Sequence, residues 1–216
     1  MLVFMDEKDG PTCQPGEMAA MKTFAAELAS QGKLRRGAPL AGAGAHVRVR
    51  DGKAFVSDGP FAESKEVLGG FWIVDVASRA EAIDIARRTP HVRQGAAEVH
   101  CVPDRYAFAD SGKGTPFLLV FRMEPGLTDP DGSKMREMIA FGEGLEREGR
   151  LLETAPLTDD PPPARIEPRG GKTLVIDGPF AEVKEAVGGY GLVRVDSRAE
   201  AIEFAKRYPH ARWGPV

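Results

Sequence analysis

Two short stretches of this chain carry residue types suited to acid–base chemistry. Asp58-Gly59-Pro60-Phe61-Ala62-Glu63 sets a carboxylate at each end of a hexapeptide, with Lys65 just beyond. The unit returns as Asp177-Gly178-Pro179-Phe180-Ala181-Glu182, followed by Lys184. Carboxylates beside an ammonium group can move protons when burial shifts their pKa values, which makes Asp58, Glu63, Asp177 and Glu182 the candidate catalytic groups. The same residues also suit a structural loop. Proline presets φ, aspartate accepts backbone N–H groups in a turn, the glutamates can cap the next element, and Phe61 and Phe180 can anchor the loop in a core. Both readings stay open at this level: a scaffold loop, or a pocket wall in which Asp58, Phe61, Lys65, Asp177, Phe180 and Lys184 meet a ligand.

A second constellation is His91 with Arg93, repeated as His210 with Arg212. Cations are favoured at helix C-termini, which accounts for them structurally. The alternative is a cationic rim for a small polar or anionic ligand, with histidine as proton carrier near neutral pH. His46 has Arg165 at its twin position, so it has no symmetric role. Scattered histidines do not form a zinc set, and Cys13 and Cys101, both in the first half, are neither a disulfide framework nor a metal cluster. The pairs Gly69-Gly70 and Gly188-Gly189 lack the lysine-and-hydroxyl ending of a phosphate loop. No metal and no cofactor is expected. Trp72 stands opposite Gly191 between the copies, which leaves either a pocket in one half or a compensating change in the core.

The positions of these groups derive from an internal duplication. Residues 58–95 match 177–214 at a constant offset of 119, with about 24 of 38 positions identical, too many for chance. Upstream the offset is 117, so that Met18, Met21, Phe24 and Leu28 match Met135, Met138, Phe141 and Leu145. A two-residue insertion falls between Asp159 and Ala164. The expected division is one repeat over 1–103, a Gly-, Pro- and Asp-rich link over 104–116, and a second repeat over 117–216 that lacks the last strand of the first. Such an edge must be left short, filled from elsewhere or used for self-association, which admits a homo-oligomer.

Each repeat reads as an opening strand (1–5, 117–123) and an amphipathic helix (17–31, 133–148) stopped at Gly32 or Gly149. A hairpin comes next. His46 to Arg50 alternates, Asp51-Gly52 turns, and Lys53 to Ser57 returns; in the second copy Pro168 in the first arm predicts an edge. Then come a strand (70–76, 189–195) and a helix (79–88, 198–207), the helix with Ser78 or Ser197 as N-cap and Glu81 or Glu200 completing a capping box. A strand over Ala97–Val102 closes the first copy. The class is α+β: two ferredoxin-like βαββαβ units, each with an extra hairpin arm, expected to cover each other's open sheet face as an intramolecular pseudo-dimer.

A net charge of −3 without clustered basic residues predicts no nucleic-acid partner. No apolar run approaches a membrane span, and the first residues lack a basic leader, so the expected location is cytoplasmic.

The pattern Val-Arg-Asp-Gly-Lys, then Asp-Gly-Pro-Phe-Ala-Glu-x-Lys-Glu-x-x-Gly-Gly-Phe/Tyr, then a helix ending in Arg-x-Pro resembles the YCII-related, or DGPF-domain, family over nearly the whole chain, twice. The resemblance implies a dimeric α+β barrel. It also implies a regulatory link, since some relatives are encoded beside extracytoplasmic-function sigma factors. For the broader family, which includes a dehydrochlorinase, an enzymatic role has been proposed from a His on the first helix and an Asp near the end of the second. Here those positions hold Met21 and Met138, and Thr89 and Tyr208, so that pair is absent from both copies. Three functions stand as expectations: a small-molecule-binding or regulatory module with its ligand between the two sheets, a lyase- or isomerase-type enzyme using the hexapeptide carboxylates, or a partner of a sigma-factor system without chemistry.

Overall fold

The alternating and amphipathic segments become regular elements in nearly the order of the duplication. The computed structural model describes residues 1–7, 15–40, 44–59, 66–93, 95–102, 106–107, 115–123, 126–170, 172–178 and 186–216. The first repeat runs β1 (Leu2–Glu7), α1 (Pro15–Ser30), β2 (Leu34–Pro39), β3 (Ala45–Arg50), β4 (Lys53–Asp58), β5 (Glu66–Val74), α2 (Arg79–Arg88), a 3₁₀ turn (Pro90–Arg93) and β6 (Ala96–Val99). After β7 (Tyr106–Ala107), the second runs β8 (Thr115–Met123), α3 (Ser133–Arg147), β9 (Leu151–Pro156), β10 (Ala164–Arg169), β11 (Lys172–Asp177), β12 (Ala186–Val195), α4 (Arg198–Arg207) and a 3₁₀ turn (Pro209–Arg212). The capping boxes form as expected. Ser78 and Ser197 Oγ accept from the amides of Glu81 and Glu200, whose carboxylates reach back to the amides of Ala77 and Asp196.

The chain divides into two compact units, and neither is a single repeat. One comprises Met1–Gly42, Pro60–Cys101 and Thr158–Ala181; the other comprises Ala43–Gly59, Val102–Leu157 and Glu182–Val216. The hairpin of each repeat is therefore built into the unit formed by the body of the other.

In the first unit a six-stranded antiparallel sheet runs β11-β10-β6-β1-β5-β2. The four strands β6-β1-β5-β2 with α1 and α2 make the ferredoxin-like body. β10 extends it through the pairs Ala164↔Val99 and Ile166↔Ala97. Ala164 and Ile166 have no exposed surface and sit in one core cluster with Leu2, Phe4, Leu28 and Trp72.

The second unit holds a four-stranded sheet, β7-β9-β12-β8, and the hairpin β3-β4. Val47 of β3 joins a core with Leu119, Phe121, Val193 and Tyr208. Val216 and Val47 exchange both backbone hydrogen bonds, and the amide of Arg122 on β8 donates to the Pro215 carbonyl. Residues 215–216 thus bridge β8 and β3, as β6 bridges β1 and β10 in the first unit.

Three expectations need correction. The second strand of the ferredoxin-like body is β2, and its copy β9, not a hairpin arm. Leu34-Arg35-Arg36-Gly37-Ala38-Pro39 lies at the sheet edge with only two positions even half-buried, so it has no apolar alternation to read. β10 is not an edge over Ala164–Ile166; Pro168, which lacks the N–H for a second ladder, lies beyond the pairing with β6 and faces only Thr173 of β11. The strand predicted at 70–76 begins earlier, at Glu66.

Removing the side chain that plugs the first unit should separate the units by their response. Ile166→Ala should destabilise by roughly 2–5 kcal/mol. Amide exchange should speed up in β6 and β1, in the other repeat, more than in β8 and β12 of its own.

Candidate functional site

The hexapeptide aspartates end the exchanged hairpins. Asp58 closes β4 and Asp177 closes β11. Asp58 binds Arg198 Nη2 at 2.5 Å, and Asp177 binds Arg79 Nη2 in the same way. Arg79 and Arg198 are the first residues of α2 and α4. Each clasp therefore fixes one repeat's hairpin to the second helix of the other repeat, and Arg79 also donates to the Pro162 carbonyl at 3.0 Å. Both carboxylates are about two-thirds exposed, so the pairs lie on the surface, where an ion pair contributes roughly 0–1 kcal/mol. Phe61, Glu63, Lys65, Phe180, Glu182 and Lys184 lie outside the described residues.

His91 and His210 are buried, not set on an exposed rim. His91 Nε2 lies 3.1 Å from the Met5 carbonyl and His210 Nε2 lies 2.9 Å from the Arg122 carbonyl. A carbonyl only accepts, so Nε2 donates in both. The imidazoles come this close because Gly95 and Gly214 stand beside them; a Cβ at either would lie within 3.0 Å of the same carbonyl and imidazole. On the far side of His91, Nδ1 faces the carboxylate of Glu17 at 3.4 Å, both side chains more than nine-tenths buried. The twin of Glu17 is Lys134, so this pairing is not repeated. Burial lowers the pKa of His210, only partly opposed by its bond to the Arg122 carbonyl. Arg93 is exposed, while Arg212 pairs with Glu137 of α3 and lies over the Trp213 ring.

The Trp72–Gly191 difference belongs to a complementary set of three. In the first unit the Trp72 indole packs edge-on against Phe4 at 5.1 Å and lies over Gly37, where a Cβ would come 2.2 Å from the ring. The third member, Thr89, is small and bonds back to the Ile85 carbonyl. The second unit inverts all three: Thr154 for Gly37, Gly191 for Trp72 and Tyr208 for Thr89. Tyr208 packs against Phe121 and Phe141, both 4.7 Å away, in space a Gly191 side chain would enter. Thr154 donates its hydroxyl to the Tyr190 carbonyl at 2.8 Å and stands beside the Tyr208 phenol, which burial pushes up to about 12.

Tyr208 and Thr154 of this set also line an open space. A cavity of about 150 Å³ remains in the second unit, under α3. Its walls are chiefly apolar, including Phe121, Met138, Ile139, Leu151, Ala155 and Tyr208. One end is polar, with His210, Lys134, Asp129 and Trp213. Gly142, buried in mid-helix, gives α3 a bare surface there, since a Cβ would meet only Leu151 and Thr154 at ordinary contact distances. Met138 and Tyr208, the positions to which the family resemblance directs the His–Asp pair, both line the cavity. Lys134, Thr154 and Trp213 carried no signal in the sequence.

A buried ionic cluster, also unforeseen, holds the exchanged β10. Glu98 on β6 accepts from His100 Nε2 at 3.1 Å and from Arg165 Nη1 of β10 at 3.2 Å. Burial alone would raise the Glu98 pKa, but the His100 bond and the two neighbouring charges outweigh it, and the carboxyl sits below its ordinary range. Among the described residues no group of three His, Cys, Asp or Glu side chains converges as a metal site, and no helix is long and apolar enough to cross a membrane.

Comparison with known proteins places the chain in a family. The YCII-related domain matches residues 1–104 and again 115–216. The chain belongs to the YCII-related family, as a tandem pair. It is also 41% identical over 71 residues to an uncharacterised protein of Rhizobium meliloti (strain 1021), a match covering 33% of this chain and 56% of that relative.

A carboxyl depressed in the folded state stabilises the fold above its unfolded pKa and loses that contribution as pH falls through the folded value. Acid unfolding should therefore draw on Glu98 below about pH 4.5. Glu98→Gln should lower stability at pH 7 by roughly 1.5–3 kcal/mol, since it weakens the charged bonds to His100 and Arg165 while Arg165 keeps Glu167. It should also flatten the acid limb of a urea-midpoint against pH curve. A limb unchanged in slope would remove Glu98 from the acid response.

Proposed function

We propose that this YCII-related chain is a small-molecule-binding module whose ligand occupies the cavity under α3. The observation that carries this is the inverted triad. In the first unit an indole lies over Gly37; in the second the matching Thr154, with Tyr208, lines an open cavity. A space of about 150 Å³ suits a single ring or a short chain, and chiefly apolar walls with a few polar groups are the usual make-up of a small-molecule site. The thioethers of Met135 and Met138 on the α3 side are adaptable contact groups. The first unit has its own indole in the matching layer, so one site per chain is expected. Acid–base chemistry by the hexapeptide has less support, because Asp58 and Asp177 are exposed and held by arginines. Binding without chemistry suits the regulatory role that the resemblance implies.

Thermal shift and calorimetry with toluene as the probe test this reading. Toluene should raise the melting temperature with one site per chain, worth ~2.7 kcal/mol at a hundredfold excess over Kd. Gly142→Leu should plug the cavity, remain folded because leucine favours a helix over glycine by up to ~1 kcal/mol, and lose the shift. An equal shift in Gly142→Leu would place the binding elsewhere.

A further inference from the structure

The polar end of the cavity differs from its counterpart in a way that specifies a ligand head group. In both units the histidine after the second helix donates Nε2–H to a carbonyl of the first strand, Met5 or Arg122. In the first unit the opposite face of that ring is closed by the Glu17 carboxylate, on the first helix. In the second, the equivalent helical position is Lys134. Its ammonium is held away from the ring: it donates to the Thr128 carbonyl at 2.8 Å and lies 5.9 Å from the centre of the Trp213 ring.

Among the described residues the His210 imidazole has no other hydrogen-bond partner. With Nε2 donating, the neutral imidazole presents Nδ1 as a bare acceptor, on the side where Glu17 stands in the first unit. Lys134 has three N–H donors, and Thr128 takes one of them. Asp129 accepts from the amides of Lys134 and Met135 and attracts the Lys134 ammonium by its charge, with no hydrogen bond between the two side chains. An acceptor and a donor therefore stand unlinked at one end of an apolar cavity.

Building on the binding site proposed above, we propose that His210 and Lys134 together select an uncharged ligand with a hydroxyl head on an apolar body. Its O–H donates to His210 Nδ1 and its oxygen accepts from Lys134 Nζ. A carboxylate head has no proton for the imidazole and meets its lone pair. An ether or hydrocarbon leaves both groups unmatched. A bare hydroxyl in an apolar cavity costs ~1–3 kcal/mol when unpartnered, so the two partners determine whether an alcohol can enter at all.

The test is calorimetric titration of the full chain with benzyl alcohol, toluene and benzoate, with ¹⁵N spectra of the histidine rings. Benzyl alcohol should bind at least as tightly as toluene in spite of its hydration, and benzoate more weakly than either. Benzyl alcohol, and not toluene, should shift the His210 Nδ1 resonance. Lys134→Met should weaken benzyl alcohol about fivefold and leave toluene unchanged. Benzyl alcohol weaker than toluene by about tenfold or more would mean that the hydroxyl finds no partner, and would overturn the proposal. So would benzoate binding more tightly than benzyl alcohol, or an unmoved Nδ1. Toluene binding with any of these results leaves the binding site standing; no binding by any probe removes the site as well.

Discussion

β6 offers a strand edge that water cannot satisfy, because its residues Ala96, Ala97, Glu98 and Val99 are all buried. The backbone groups on that edge must be paired, and β10 of the other repeat pairs them. Ile166 and Ala164 bring the apolar contact, Arg165 brings a cation for Glu98, and Asp177 at the end of the hairpin clasps Arg79. The second unit uses the reciprocal arrangement, with Val47 in its core and Asp58 on Arg198. The aspartate of the repeated hexapeptide is therefore explained by anchoring. It holds the last residue of an exchanged hairpin against the first turn of a helix, and only a chain carrying two copies can complete both units within itself.

On that shared frame the two copies solve one packing problem in two ways. Trp72 needs Gly37 beneath it and a small residue at 89; Tyr208 needs Gly191 to be bare. Neither half of either set can be moved alone without a clash or a void. The helical position that faces the buried histidine in the first unit, Glu17, is Lys134 in the second. One unit pairs its buried histidine with Glu17, and the other has a cavity with its histidine in the wall.

How much of this was legible depends on whether the governing contacts are local. The helices, their capping boxes and the Asp51-Gly52 turn rest on residues within a few positions of one another, and they were read correctly. β2 was not, because an exposed edge strand of Leu34-Arg35-Arg36-Gly37-Ala38-Pro39 has no buried face to impose a period. The alternation of His46 to Arg50 revealed that one face of β3 is buried, but could not say in which body. Trp72 against Gly191 flagged a difference of volume, and the space beside Gly191 is taken up by Tyr208, the compensating reading. That Thr154 and Tyr208 complete the set emerges only when β9, β12 and the residue ending α4 are brought together. The histidines looked like helix-end cations and proved to be buried donors to strand carbonyls, for which the repeated glycine four residues on was the unread sign.

The exchange of hairpins is tested most directly by cutting the connection between the repeats and studying residues 1–103 and 115–216 as separate chains. If each unit needs a hairpin from the other repeat, neither piece should be a cooperatively folded monomer, and mixing them should restore the native amide-exchange pattern, with β6 protected. A piece comprising 1–103 that folds cooperatively as a monomer, with β6 as well protected as in the intact chain, would contradict the account.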